Sequence, residues 1–581
     1  MQKIVKLISK KEAFLYIFCV LSILIQVSFE MAIPKEMAET TYALQNGTND
    51  MEDIMHLGNL MLAFSIGALV AAVCASYSAS KAGASLSRHL REKVFSKIMT
   101  FSLEETGKYG TASLISRCTT DITTVQDFVT GGLITIIKSP ITIVCVVVRM
   151  SMDYWQWSAA TTSAVILIVA FVVLMLKLAV PVMKRYQEVN DKIIEESTEH
   201  ITGIRVVHSN KANVFQKKRY EKLNDEATKL LLFGERMVGV FVPFTTAVMN
   251  LLVVAIYVLG AVIMNSNDSN ARMLIFAEMT EFLSYSILLV SAFVYVILII
   301  ANYPTTKACA LRINEVLDTR VRITDGEESI IDDAAAGGAI EFSHVSFKYQ
   351  GAKENALTDI SFKVEPGENV AIIGSTGSGK TTLLNLIPRL YDVNEGVVSV
   401  CGIDVRKLKI NELRNILGYV PQKSMLFMGT IANNISFGIN SKFKESLDEI
   451  KKAAKIGQAD EFISHKEGGY EGTVAYRGSN FSGGQKQRLT ISRAIYRDPK
   501  IYLFDDSFSA LDFKTDSILR KKLRENAQGA TVIIVAQRIS TIRNADKIIV
   551  LDKGRIVGEG THDFLMNNCE VYKEIAQSQQ G

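Results

Sequence analysis

Hydrophobic positions are spread very unevenly along this chain. Six long apolar runs punctuate its first three hundred or so residues, at about 13–33, 58–80, 132–150, 157–176, 237–264 and 282–301. A helix rises about 1.5 Å per residue, so roughly 20 apolar residues cross a hydrocarbon core about 30 Å thick. Six such runs predict six transmembrane helices rather than a soluble helical domain. The first run is long enough to span and no small-x-small site follows it, so it reads as a retained helix and not as a cleaved signal peptide.

The polar stretches between the runs differ in charge. Basic residues crowd the start (Lys3, Lys6, Lys10, Lys11), the stretch after the second run (Arg88, Arg91, Lys93, Lys97, Lys108, Arg117) and the stretch after the fourth (Lys184, Arg185, Lys192, Arg205, Lys211, Lys217, Lys218, Arg219). The segment 34–55 instead carries Glu36, Glu39, Asp50, Glu52 and Asp53 against one Lys, and the turns 151–156 and 265–277 are short. Basic loops stay inside. The expected topology is a multi-pass protein of the plasma (inner) membrane with both termini cytoplasmic. The two basic connections are rich in helix formers, so membrane helices two to five are expected to run on for tens of ångströms into the cytoplasm.

Beyond residue 301 the pattern changes. A short charged helix at 307–318 leads into 332–338, which reads as a linker. From 340 onward, strand-like runs (369–373, 500–504) alternate with helical ones (381–386), the signature of an α/β domain with a partly parallel sheet. The expected fold is an α-helical membrane domain with six transmembrane helices (1–320), a linker (321–338) and an α/β P-loop nucleotide-binding domain (339–581). The whole-chain averages, 48% hydrophobic, 21% charged and net +4 over 581 residues, blend these unlike halves. They show no strongly basic nucleic-acid-binding domain, and the six membrane runs exclude a soluble ATPase acting on DNA or ribosomes. The seven cysteines are scattered and never spaced C-x-x-C, as expected of isolated packed thiols.

The chemistry is concentrated in the second half. Gly374-Ser375-Thr376-Gly377-Ser378-Gly379-Lys380-Thr381-Thr382 is a P-loop between a strand and a helix. Its backbone N–H groups and helix N-terminus suit phosphate, Lys380 adds a charge at the β/γ-phosphates, and the Thr381 hydroxyl suits Mg²⁺. Asp505 ends the apolar strand 501–505 and offers a carboxylate to Mg²⁺. Ser482-Gly483-Gly484-Gln485 opens a helix and forms a second anion-binding turn.

Together these motifs resemble an ATP-binding cassette (ABC) exporter of the half-transporter type, over essentially the whole chain. The resemblance implies that Tyr349 stacks on adenine, that Gln422 reaches Mg²⁺, that Ser482–Gln485 complete a partner's ATP site, and that Asp512 lies in the dimer-contact loop 509–512. It also implies short coupling helices at about 107–112 and 210–216. Three positions depart from the family pattern. Asp506 replaces the Glu that orients the attacking water, Gln537 replaces the switch His, and Tyr476 stands where Glu is frequent. An ångström of misplacement costs on the order of 10²-fold in rate. This chain therefore resembles the degenerate-site subunit of bacterial heterodimeric multidrug exporters, needing a second, different chain with Glu and His. The expected cargo is a small, amphipathic or drug-like solute. A homodimeric exporter of lipid or peptide, an importer and an ATP-gated channel are the alternatives. Lys138 and Arg149 stand out as charges within the third run, Arg149 being expected to snorkel to the outer surface.

Overall fold

The computed structural model describes residues 10–46, 51–150, 155–265, 268–330, 337–438, 446–527 and 529–579. Lys3, Lys6, Asp50, most of the turn 151–156 and residues 332–336 of the expected linker lie outside them. The chain forms two compact units, one of residues 1–99 with 111–319 and the other of 100–110 with 320–581. Nine helices come before the first described strand: α1 (Lys10–Asn46), α2 (Met51–Met99), α3 (Leu103–Tyr109), α4 (Thr111–Cys118), α5 (Thr120–Met150), α6 (Trp155–Thr202), α7 (Ile204–Ser209), α8 (Asn213–Asn265) and α9 (Ser269–Asp318).

In the first unit six segments are long and apolar enough to cross a membrane, on α1, α2, α4–α5, α6, α8 and α9. At 1.5 Å per residue the 49-residue α2 is about 74 Å long, far more than one bilayer crossing. The small residues Ala68, Ala71, Ala75, Ala79 and Ala82 recur every three or four positions and are buried. Such a stripe lets two helices approach closely without an apolar solvent to expel. Cys19, Ile23 and Val27 of α1 pack against Ala75 and Ala79. A second cluster joins α5, α6, α8 and α9, with Trp157 fully buried at 5.4 Å from Phe282.

Three expectations are corrected, and α1 is longer than its apolar run, continuing through Pro34 to Asn46. Thr40 and Thr41 donate to Glu36 O and Met37 O within it. The sixth membrane helix and the short helix at 307–318 are one element, α9. The short helix expected at about 107–112 is α3, displaced toward the N-terminus because Ser102 and Glu105 form a capping box and Gly110, at φ +74°, ends it. The second connection has α7 and a turn at 210–212, while Asn213 already begins α8.

Arg149 does not snorkel alone. Its guanidinium pairs with Glu281 of α9 at 2.9 Å, and Lys138 pairs with Glu30 of α1 at 2.7 Å. Gln26 also donates to Glu30, at 2.7 Å. Toward the C-terminal end of α9, Arg117 bonds Glu315 at 2.9 Å and Arg312 bonds the buried Asp121 at 2.6 Å, tying α4 and α5 to α9.

The second unit holds two main sheets. Strands β1 (Ile340–Phe347), β2 (Leu357–Val364), β4 (Glu395–Val400) and β5 (Ile403–Asp404) make an antiparallel sheet in the order β2-β1-β4-β5. The other sheet has the order β12-β11-β3-β10-β9-β6, built from β3 (Asn369–Gly374), β6 (Leu417–Val420), β9 (Ile501–Asp505), β10 (Thr531–Val535), β11 (Lys547–Asp552) and β12 (Arg555–Gly560). All its pairings are parallel except β11–β12. Strand β9 is buried along its whole length, which is why it reads as a continuous apolar run.

Residues 320–330 are not a free linker. Arg389, itself 4% exposed, donates to Thr324 O, and Glu328 pairs in parallel with Leu408. Helix α3 docks on the same unit, since Glu105 accepts from the Arg322 N–H at 3.0 Å and Glu104 pairs with the Arg322 guanidinium at 3.1 Å. Burial pushes the Glu105 carboxyl up, but hydrogen bonds from Ser102 and Arg322 outweigh it and hold it below its ordinary value. A depressed folded value means that this stabilisation is present above the ordinary carboxylate range and fades as pH falls through the folded value. Glu105→Ala removes the acceptor of two part-buried backbone N–H groups, those of Ser102 and Arg322, at a cost of about 1–3 kcal/mol. Hydrogen exchange should then show residues 100–110 losing protection while β9 keeps its own.

Candidate ATP site

The site is assembled at the ends of parallel strands. Strand β3 delivers Gly374, and the loop that follows turns into the helix Lys380–Leu386. Gly377 and Gly379 sit at φ +83° and +98°, and a Cβ on Gly379 would meet Ala356 O at 2.8 Å. Only glycine takes that turn without strain. Lys380 is 8% exposed and its ammonium donates to Gly374 O at 2.9 Å and Ser375 O at 2.7 Å. Burial pulls its pKa down, opposed by Asp506 and Asp505. The ammonium also donates to the Ser378 hydroxyl at 3.4 Å, and a buried cation held by two carbonyls and a hydroxyl suits an anion.

Asp505, at the end of β9, is 2% exposed and accepts from the Thr381 hydroxyl at 3.0 Å. Burial pushes its carboxyl up, Thr381 and Lys380 opposing. Among the described residues no group of three or more His, Cys, Asp or Glu is placed to hold a metal. Mg²⁺ needs none, since it takes one or two protein oxygens and leaves the rest to phosphate and water. The Thr381 hydroxyl and Asp505 carboxylate, already in contact, fit that role.

Asp506 adopts φ +47°, held by its N–H to Val535 O at 2.9 Å. One of its oxygens, Oδ2, accepts from Gln537 Nε2 at 2.8 Å and from Gln422 Nε2 at 3.4 Å. Burial pushes its carboxyl up, while Gln422, Ser509, Lys380 and Arg538 oppose. Two neutral amides therefore share one of the two Asp506 carboxylate oxygens.

Tyr349 donates to or accepts from the Thr382 hydroxyl at 2.9 Å and stands edge-on to Tyr391 at 5.4 Å. Beside it lies a groove of about 520 Å³ bordered by Lys348, Tyr391 and Asn394 and by Glu104 of α3. The remaining expected residues are engaged locally. Ser482 and Gln485 form a capping box at the start of the helix Gly483–Tyr496. Gly484 packs where a Cβ would lie 3.2 Å from Ala510 O. Asp512 caps the helix Phe513–Asn526, accepting from the Thr515 N–H and hydroxyl at 2.9 and 2.8 Å. Tyr476 is 64% exposed under the Arg477 guanidinium. Sequence reading missed Tyr391, Arg322 and Gln579, none of which stands in a motif.

Two family models match the chain: "ABC transporter transmembrane region" over residues 16–293 and "ABC transporter" over 357–509. An uncharacterized ABC transporter ATP-binding protein of Mycobacterium tuberculosis is 36% identical over 534 residues, covering 91% of this chain and 90% of that protein. The chain belongs to the ABC transporter family. It carries a transmembrane region of six candidate spans followed by an ATP-binding domain. Another uncharacterized member, from Bacillus subtilis, is 32% identical and covers 91% of each chain. The ATP-dependent lipid A-core flippase of Haemophilus influenzae is 29% identical, over 84% of this chain and 82% of the flippase. A solved bacterial Atm1-family ABC exporter with ATP bound has the same fold, with TM-score 0.82, 23% identity and 98% of both chains covered.

Proposed function

We propose that this chain is one half of a heterodimeric exporter, that its own ATP site binds nucleotide but hydrolyses it poorly, and that a partner chain's site does most of the hydrolysis. The observation that supports this best is the Asp506 carboxylate, whose Oδ2 is taken by the Gln537 and Gln422 amides. A base must hold and polarise water in line with the terminal phosphate. Asp506 is one methylene shorter than the usual Glu, and the neutral Gln537 amide stands where a histidine would be able to carry charge.

In this reading Tyr349 stacks on adenine, the N–H groups of 374–379 cradle the phosphates, and Lys380 exchanges its carbonyl partners for the β- and γ-phosphate oxygens. Thr381, Asp505 and Gln422 would hold Mg²⁺, which would neutralise phosphate charge there. Ser482–Gln485 face the partner's nucleotide, and Asp512 keeps the contact loop in shape by capping the helix behind it. Closure of the two ATP-binding domains on nucleotide then drives the membrane helices through α3 and the turn at 210–212.

The cargo is an amphipathic small molecule, drug-like or lipid-like, exported across the plasma (inner) membrane with both chain ends cytoplasmic. The relative named as a lipid A-core flippase supports the lipid-like class. The purified chain alone should hydrolyse ATP on the order of 10²-fold more slowly than the assembled exporter. Equal rates in the lone and co-expressed forms would sink the heterodimer reading.

A further inference from the structure

The segment that carries Gln537 is held from behind by the end of the chain. Gln579 Nε2 donates to Gln537 O at 2.6 Å, and Gln579 Oε1 accepts from the Ile539 N–H at 2.8 Å. A primary amide presents a donor and an acceptor side by side, and so matches the C=O of one residue and the N–H of the next but one. The partners fix its orientation, since a carbonyl only accepts and an N–H only donates.

The clamp stands on a rigid base. Gln579 follows the helix Glu570–Ser578, whose Tyr572 and Ala576 are 0% and 1% exposed. Tyr572 bonds His562 Nδ1 through its hydroxyl at 2.7 Å. The clamped segment is also tied forward, through Gln537 to Asp506 and through Arg538 to Ser509 O at 3.3 Å. Its backbone is therefore fixed on both sides of residue 538, and the Gln537 side chain is aimed at the catalytic end of the P-loop site.

We infer that Gln579 is a positioning residue for the terminal phosphate: it holds the backbone of 537–539 so that the Gln537 amide meets the γ-phosphate when ATP binds. This rests on the proposed reading only in that Gln537 stands in the place of the switch histidine, from which its amide is able to donate to the γ-phosphate, and does not depend on how fast the site hydrolyses or on which partner it has.

The test measures binding of ATPγS and ADP, each with Mg²⁺, to the full-length chain in nanodiscs. Gln579→Ala should weaken ATPγS about tenfold, the scale of one charge-assisted hydrogen bond, and leave ADP within about twofold. Gln537→Ala should do the same, and the double variant should be no weaker than Gln537→Ala alone. Gln579→Glu keeps the acceptor for Ile539 but loses the donor for Gln537 O, and should match the alanine variant. Wild-type ATPγS affinity in Gln579→Ala, or equal weakening of both nucleotides, overturns the inference. If Gln537→Ala alone leaves ATPγS binding unchanged, the γ-phosphate contact fails with it, whereas discrimination lost in Gln537→Ala but kept in Gln579→Ala refutes the clamp alone.

Discussion

Asp506→Glu combined with Gln537→His should raise ATP hydrolysis by the lone chain on the order of 10²-fold. The single changes should give much less. In the wild-type chain the carboxylate at 506 is held by Gln537 at 2.8 Å. Lengthening it alone leaves that amide competing for the same oxygen. Replacing Gln537 alone frees Asp506 but leaves it one methylene short. Because the two side chains touch, their effects should be non-additive. Position 506 also sits at φ +47°, a conformation that Asp tolerates better than most residues, so part of the gain is offset by strain. Steady-state phosphate release from each variant provides the check. Additive single effects, or no gain in the double variant, would show that these two residues do not limit the site.

The second large effect lies in the membrane. Arg149→Met should destabilise the first unit by about 3–5 kcal/mol, the cost of leaving one member of a buried pair uncompensated. The cost falls on Glu281, whose side chain is 8% exposed, more than on Arg149, at 39%. Adding Glu281→Gln should recover most of it, because two neutral groups carry no unpaired charge. Thermal unfolding in detergent or nanodiscs separates the outcomes. If the double variant is as unstable as Arg149→Met, the pair is not what holds α5 to α9 at this point.

The large elements were legible in the sequence because membrane runs and P-loop motifs are local patterns. Six apolar runs gave six spans, and the P-loop lies between β3 and the helix Lys380–Leu386 as its spacing requires. Where helices end was less legible. The helices α1 and α9 run on through Pro34 and Pro304, past the ends of their apolar runs, since packing in a helical bundle tolerates the missing N–H. Glu30 and Glu281 stood in or beside apolar runs and were passed over. Their meaning depends on Lys138 and Arg149, which are 108 and 132 residues away in sequence. The same holds for the site. Asp506 and Gln537 were identified by their departure from a motif, but that they bond each other follows from the parallel pairing of β9 with β10. Gln579 belongs to no motif, and only the docking of the last helix brings it to residues 537 and 539.

The most direct measurement of the central claim is nucleotide trapping in the assembled exporter. With photoreactive, radiolabelled ATP and vanadate, trapped ADP should appear on the partner chain, while this chain retains uncleaved ATP at its Lys380 site. Equal trapping of ADP on both chains, or assembly of a fully active exporter from this chain alone, would contradict it.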